Sequence, residues 1–390
     1  MKHRLPALDW MRGIAMILMA SDHASGAFNA GRLVTDSALL YDPQQQLGWL
    51  QFLYRSVSHL CAPTFLFLAG TALALSIERK IQRGVPSSTI DRDLLFRGLI
   101  IISVDLFIIN WFLVPEFFLL QVMYAIGLAM ILMILFRRLP TLLLVAVALI
   151  ILAANEFLLV DQFMTPLEAA PVASTLLMQV GIIDTALESV GLLAWIGVPD
   201  KILVLYPVLP WLAMMALGWA LGRYLLESSK ESVSRRSPGK LLFVAGLAAV
   251  IVFVLLRTFN GFGNLGLFRL DNSLVQWFHV SKYPPCLAFV ALELGIMSLV
   301  MSGLFRLQNI RGTRISSLNP VLLFGQTAFF FYVAHIIILE VGARALGVYH
   351  QLGLLECTIA TIAALIILYP LCYWYRSYKQ EHPRSLTRFI

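Results

Sequence analysis

The sequence predicts an all-α, polytopic integral membrane bundle of about ten transmembrane helices, with both termini cytoplasmic. Three observations carry this. Hydrophobic residues make up 59% of the 390 residues and charged residues only 13%, roughly half the charged share of a soluble domain. Runs of about 20 apolar residues, long enough to cross a hydrocarbon core, recur along the chain. Lys and Arg also segregate into alternate gaps between those runs. Disorder, collagen, a coiled coil and a disulfide-stapled secreted module are all excluded by this composition. The net charge of +7 reads as a topology signal, and no nucleic-acid partner is expected. Cys61, Cys286, Cys357 and Cys372 lie in apolar stretches without CxxC spacing. They read as packing residues, so neither a metal site nor a disulfide framework is expected.

Apolar runs set against charged gaps give spans at 8–28, 49–77, 94–113, 117–136, 140–159, 203–222, 241–256, 284–305, 321–340 and 353–375, all within one domain covering 1–390. Of the 29 Lys and Arg residues, 20 fall in the N-terminus, the C-terminus and the gaps 78–93, 137–139, 223–240 and 306–320. The opposite gaps hold six, namely Arg32, Lys201, Arg257, Arg269, Lys282 and Arg344, while Arg12, Arg55 and Arg97 lie within spans. The positive-inside rule then places both termini in the cytoplasm. Lys2 and Arg4 before an apolar run also resemble a secretory signal. Asp9, Arg12, Asp22 and His23 are poor choices for a disposable segment, so the first span is expected to stay. Two outer gaps are long. Residues 160–202 hold amphipathic stretches such as STLLMQVGIIDTALESVGLLAWIG, and 257–283 is rich in Gly and Asn. Each reads either as plain connection or as a roof over an outward-facing site.

Ionisable residues inside spans are costly in lipid and mark candidate polar cavities. Arg12 and His23 are eleven residues apart, about 20° off one helical face and roughly 16 Å along the axis. Asp9 sits at ion-pair spacing from Arg12. Asp22 is adjacent to His23, and adjacent helical residues point about 100° apart, so it is not automatically the carboxylate that orients the imidazole. Arg12 reads either as a group snorkelling to the inner headgroups or as part of a site. Snorkelling does not account for an Asp-His pair in the outer half. Arg55 and His59 share a face of the second span, and Pro63 removes the hydrogen bond to the His59 carbonyl, so a kink is expected there. Asp105 and Asn110 lie in the third span, Gln121 and Tyr124 share a face of the fourth, and Glu293 lies in the eighth. Tyr332 and His335 share a face of the ninth, and Glu340, near an outer end, is expected to be solvated. Several such residues together point to one shared polar cavity.

LDWMRGIAMILMASDH at 8–23 resembles the first span of the transmembrane acyltransferases. That superfamily includes the heparan-alpha-glucosaminide N-acetyltransferases and the O-acetyltransferases of bacterial surface polysaccharides. An Arg or Lys followed by ten residues and a His marks the latter, and Arg12 and His23 have that spacing. APTFLFLAG (62–70), YPVLPWLAMMALG (206–218), KYPP (282–285) and FFFYVAH (329–335) are similar to a bacterial branch of the glucosaminide family, in the expected order. In the lysosomal enzymes of the family the position matching His23 is Asn, and the His proposed as catalytic falls near Val34 here.

The resemblance implies acetyl transfer from cytosolic acetyl-CoA, as co-substrate, to an amine or hydroxyl of a sugar or glycan at the outer face of a bacterial inner membrane. His23 is the expected base, working directly or through an acetyl-His intermediate. Asp22 is expected to tune it or to orient the acceptor. Arg12 and Arg97 are expected at the donor, and His59 or His335 as oxyanion donors, with Asp105 and Glu293 in support. Membrane lipid is an expected partner, and a homo-oligomer is left open. The other reading is a proton-coupled transporter using the same buried groups as a relay; the absence of a convincing internal repeat disfavours it.

Overall fold

The computed structural model describes residues 5–38, 41–42, 47–113, 118–159, 171–184, 201–228, 237–311, 316, 318–382 and 385. Its helices are α1 (Pro6–Phe28), α2 (Trp49–Val57), α3 (Cys61–Gln82), α4 (Ser87–Val104), α5 (Asn110–Leu113), α6 (Val122–Phe136), α7 (Thr141–Leu159) and α8 (Val172–Leu177). They continue with α9 (Val208–Ser228), α10 (Pro238–Phe259), α11 (Leu274–Phe278), α12 (Leu287–Arg311), α13 (Pro320–Gln326), α14 (Ala328–Ala345) and α15 (Leu354–Glu381). Three short strands, β1 (Phe118–Leu120), β2 (Gly181–Asp184) and β3 (Lys201–Val204), complete the described elements.

Among the described residues, eight helices are long and apolar enough to cross a membrane, and each coincides with an expected span. The remaining two expected spans fall on α1 and α6. The first carries Asp9, Arg12, Asp22 and His23, which lower its hydropathy. The second has 15 residues, about 22 Å of helix, shorter than a hydrocarbon core of about 30 Å. Both are instead wrapped by other helices: Ala7, Met11, Ala15, Met16, Ala20 and Ala24 on α1 are buried, as are Ala125, Ala129 and Met133 on α6.

Two expected boundaries move. Residues 118–120 and 201–204 are strands, where the apolar runs suggest the starts of the fourth and sixth spans. Strand β3 pairs with β1 in parallel and with β2 antiparallel, so the sheet order is β1-β3-β2. The cause is local. Asn110 takes a hydrogen bond from the Leu119 N–H at 2.6 Å and donates to the Leu119 carbonyl at 3.0 Å. That claims backbone groups a helix there would use itself. Near Pro63, where a kink is expected, a 3-10 turn, Ser58–Leu60, separates α2 from α3. A π turn, Asp105–Ile109, interrupts the third span.

Close helix contacts fix the frame around α1. A Cβ on Gly325 would lie 1.8 Å from the Asp9 carbonyl oxygen, and one on Gly13 1.8 Å from that of Val321, so α1 and α13 meet backbone to backbone only because both residues are glycine. The turn joining α14 to α15 is strapped to the end of α1 by the N–H groups of His350 and Leu352, which donate to the carbonyls of Ala27 and Phe28. The amphipathic stretch of the 160–202 gap is described only in part; residues 160–170 and 185–200 lie outside the described residues. Around its strands β2 and β3, Val180, Leu203 and Leu205 help to line a cavity that His23 also lines.

Candidate active site

His23 stands at one end of a paired-imidazole arrangement. Its Nδ1 lies 2.8 Å from Nε2 of His335 on α14, and the rings stack with centroids 4.9 Å apart. His335 Nδ1 lies 2.9 Å from the Phe331 carbonyl oxygen, one turn back on the same helix. A carbonyl only accepts, so His335 Nδ1 carries the proton and its Nε2 offers a lone pair. His23 Nδ1 then donates to it, which leaves His23 Nε2 as an unprotonated acceptor. The tautomers follow from these partners.

Asp22 turns away from His23, as its adjacent position on a helix requires. Its Oδ1 accepts from Arg32 at 3.1 Å and from Arg55 at 2.5 Å. Arg55 reaches further, with Nε 2.7 Å from Asp36 Oδ2. His59 Nε2 lies 3.3 Å from the other Asp36 oxygen. The loop backbone closes on the same residue, since the N–H groups of Lys282 and Tyr283 donate to the Asp36 carbonyl at 2.7 and 3.1 Å. Burial pushes the Asp36 carboxyl up, but Arg55 and His59 outweigh it and hold it well below the ordinary carboxylate range. Asp36 is therefore an ionised hinge-pin between the loop after α1, the second span and the loop before α12.

Two cavities flank this assembly. The one at the C-terminal end of α1, called the outer cavity for its place on that helix, has about 500 Å³ and is lined by His23, Asp22, Arg32, Arg55, Lys282 and Tyr283 among others. Val34, near the position of the lysosomal histidine, lines it too. The second cavity, of about 420 Å³, is lined by Arg12, Arg97, Lys379 and apolar side chains of α3, α4 and α6. Phe65, Val122 and Tyr332 line both, so the cavities abut across these three side chains. A third cavity, also about 420 Å³, adjoins the second through Arg12, Ala72 and Ser76 and adds Arg79, Lys80 and Arg83. Arg12 itself bonds Asp9 at 3.3 Å and the Gly325 carbonyl at 3.0 Å.

The residues expected from the sequence thus divide. His23, His335, Asp22 and Tyr332 gather at the outer cavity or its edge, and Arg12 and Arg97 at the inner one. His59 stands behind the outer cavity, on Asp36. Asp105 is wholly buried and accepts the Tyr124 N–H at 2.9 Å. Glu293, buried on α12, lines neither of these cavities. Of the two histidines expected as oxyanion donors, His335 has both nitrogens engaged, and the Nε2 of His59 faces Asp36. Glu340 is not solvated. It is 4% exposed, pairs with Arg344 at 2.9 Å and lines the outer cavity, because the α14–α15 turn folds back over it. Residue-by-residue reading of the spans missed Asp36, Arg32 and the inward turn of Lys282. All three lie in loops, where no helical period assigns a face.

The geometry is thus a helical membrane bundle with an acceptor imidazole on one of two abutting cavities. Residues 4–258 match the family described as Heparan-alpha-glucosaminide N-acetyltransferase, catalytic, and the chain belongs to that family, one of membrane acetyltransferases. The match takes in α1 through almost all of α10; KYPP and FFFYVAH lie beyond it. No curated protein matches the chain.

Proposed function

We propose that the protein moves an acetyl group from cytosolic acetyl-CoA to an amine or hydroxyl of a sugar or glycan at the outer face of a bacterial inner membrane. The observation that carries this is the pair of abutting cavities on either side of Phe65, Val122 and Tyr332, with His23 on the outer one. In this reading α1 and α6 cross with the eight apolar helices and both termini are cytoplasmic, consistent with the 20-to-6 distribution of basic residues.

The polyanionic end of the donor stays by the basic third cavity, with Arg12, Arg79, Lys80 and Arg83 as counter-charges. The thin pantetheine arm runs past Arg12 and Arg97 to the junction. The acceptor enters from the outer cavity. There His23 Nε2 takes the proton of the attacking amine or hydroxyl, and His335 holds the ring in the tautomer that can do so. Asp22 acts at one remove: it fixes Arg32 and Arg55, which shape the acceptor side.

Sealed vesicles of known orientation test the direction. Acetyl-CoA supplied on the cytoplasmic side is expected to release CoA thiol there, with acetylated product on the other side. Donor use from the outer side alone inverts the scheme. Solute uptake without any CoA turnover replaces it with the proton-coupled transporter.

A further inference from the structure

Acyl transfer needs hydrogen-bond donors where the carbonyl oxygen becomes negative, and the histidines expected in that role are engaged elsewhere. The remaining donors of the outer cavity are mostly committed as well. Arg32 and Arg55 are paired with Asp22 and Asp36, and the Lys282 ammonium lies over the Tyr283 ring, 5.0 Å from its centroid.

Two buried donors at the junction differ. The hydroxyl of Tyr332 has no hydrogen-bond partner among the described residues, nor has Nε2 of Gln121. Tyr332 is 4% exposed and is the polar member of the three side chains lining both cavities. Its ring stands edge-on to both imidazoles, with centroids 6.3 Å from His23 and 5.6 Å from His335. Gln121 lines the outer cavity and immediately precedes Val122, another junction residue. A buried donor without a partner costs about 1–3 kcal/mol, so one beside a candidate base and one on the same cavity call for an explanation.

The local fold holds Gln121 there. The π turn at Asp105–Ile109 sets Asp105 inside the bundle, where its Oδ2 accepts the N–H of Tyr124 in the first turn of α6. That bond anchors the helix start and Gln121 just before it, and π turns of this kind recur at functional sites. Asp105 is a positioning residue here.

We propose that Tyr332 Oη–H and Gln121 Nε2–H are the oxyanion donors of the transfer, an inference that rests on the acyltransfer reading above. The acceptor nitrogen or oxygen attacks the thioester carbonyl carbon, and a C–N or C–O bond forms. The carbonyl π pair moves onto oxygen, where the two donors meet it. His23 Nε2 takes the acceptor's proton. Collapse of the oxyanion breaks the C–S bond, and His23 returns the proton to the departing CoA thiolate. The products are the acetylated acceptor and CoA thiol, and His23 ends as it began.

The test is the kinetics of Tyr332→Phe, which keeps the ring and its edge contacts but removes the hydroxyl. The kcat is expected to fall about 10²-fold or more, the size typical for loss of one oxyanion donor. KM for acetyl-CoA should stay within about threefold, and the melting temperature should not fall, since the hydroxyl removed has no partner in the fold. Gln121→Met, which removes the amide donor at similar length, is expected to show the same split, and it carries the test if Tyr332→Phe does not fold. A raised KM with unchanged kcat, or wild-type kcat in both variants, overturns the assignment while leaving the enzyme an acetyltransferase. A wild type that never turns over acetyl-CoA removes the acyltransfer reading and this inference with it.

Discussion

The two cavities that meet at Tyr332 hold their charges in opposite ways. On the outer side the carboxylates of Asp22 and Glu340 are each paired with arginine, and Asp36 locks the wall from behind. On the inner side the lining charges are Arg12, Arg97 and Lys379, and the Asp9 that pairs with Arg12 lies outside that lining. A wall whose ions neutralise one another presents fixed dipoles and shape, as pre-organised chemistry needs. A wall with an excess of cations, in a low-dielectric setting, favours an anionic ligand. One helix, α1, carries both: His23 faces the first and Arg12 the second. The comparison separates chemistry from donor handling, and substitutions on the two sides should fail in different ways.

The largest effect is expected at the outer end. His23→Ala should lower transfer about 10²–10⁴-fold, the usual contribution of a general base, while CoA still binds. His335→Phe keeps the ring volume and removes the acceptor that sets the His23 tautomer. It should cost less than His23→Ala, about 10²-fold, and His335→Gln, which restores a side-chain acceptor, should recover part of it. Steady-state turnover beside CoA binding by calorimetry reads both. Full turnover in His23→Ala ends the division of labour at once.

Next comes the wall itself. Asp36→Asn leaves Arg55 and His59 without their shared counter-ion, and breaking a buried pair costs about 3 kcal/mol. Because the folded carboxyl lies below its ordinary value, its stabilisation is present above the unfolded carboxylate range, about 3.9, and is lost as pH falls through the lower folded value. The melting gap between wild type and variant should therefore be flat from about pH 5 to 8 and close below about pH 4. A gap that opens instead as pH falls would show that Asp36 is not the ionised partner of Arg55.

Much of this was legible in the sequence, and what was not has a common physical cause. Apolar runs located the helices because lipid demands about 20 apolar residues of any apolar span. The 3.6 period alone put Arg12 and His23 on one stripe. It also correctly turned Asp22 away from His23. Periodicity fails wherever a contact is made by a loop. Asp36 is bound by Arg55 from another segment and by the backbone of residues 282 and 283, almost 250 positions later. The tautomer of His23 depends on His335, 312 residues away. Glu340 was misjudged for the same reason, since the turn that buries it is itself tied to the end of α1. Strand β1 was hidden because its three apolar residues extend an apolar helix seamlessly, and only the Asn110 side chain gives the break away.

The smallest effect, and the sharpest on the comparison, is expected at Arg12. Its guanidinium is held by Asp9 and the Gly325 carbonyl, so it is anchored at the wall between the second and third cavities rather than snorkelling freely. Placed there, it meets a donor before the junction and far from the proton transfer, since His23 lies about 16 Å along the helix. Arg12→Ala should raise KM for acetyl-CoA about tenfold with kcat changed much less, and leave acceptor KM nearly unchanged, the pattern of lost uniform binding. Arg12→Lys keeps the charge and loses the planar fork, so it should fall between the two if charge is what the donor senses. The raised KM should also be mimicked in the wild type by salt, because exposed anion–cation attraction is screened over about 10 Å at 0.1 M. If Arg12→Ala instead lowers kcat as His23→Ala does, with donor KM unmoved, then the inner cavity is not a donor passage. The stripe on α1 would then be a single catalytic unit rather than two.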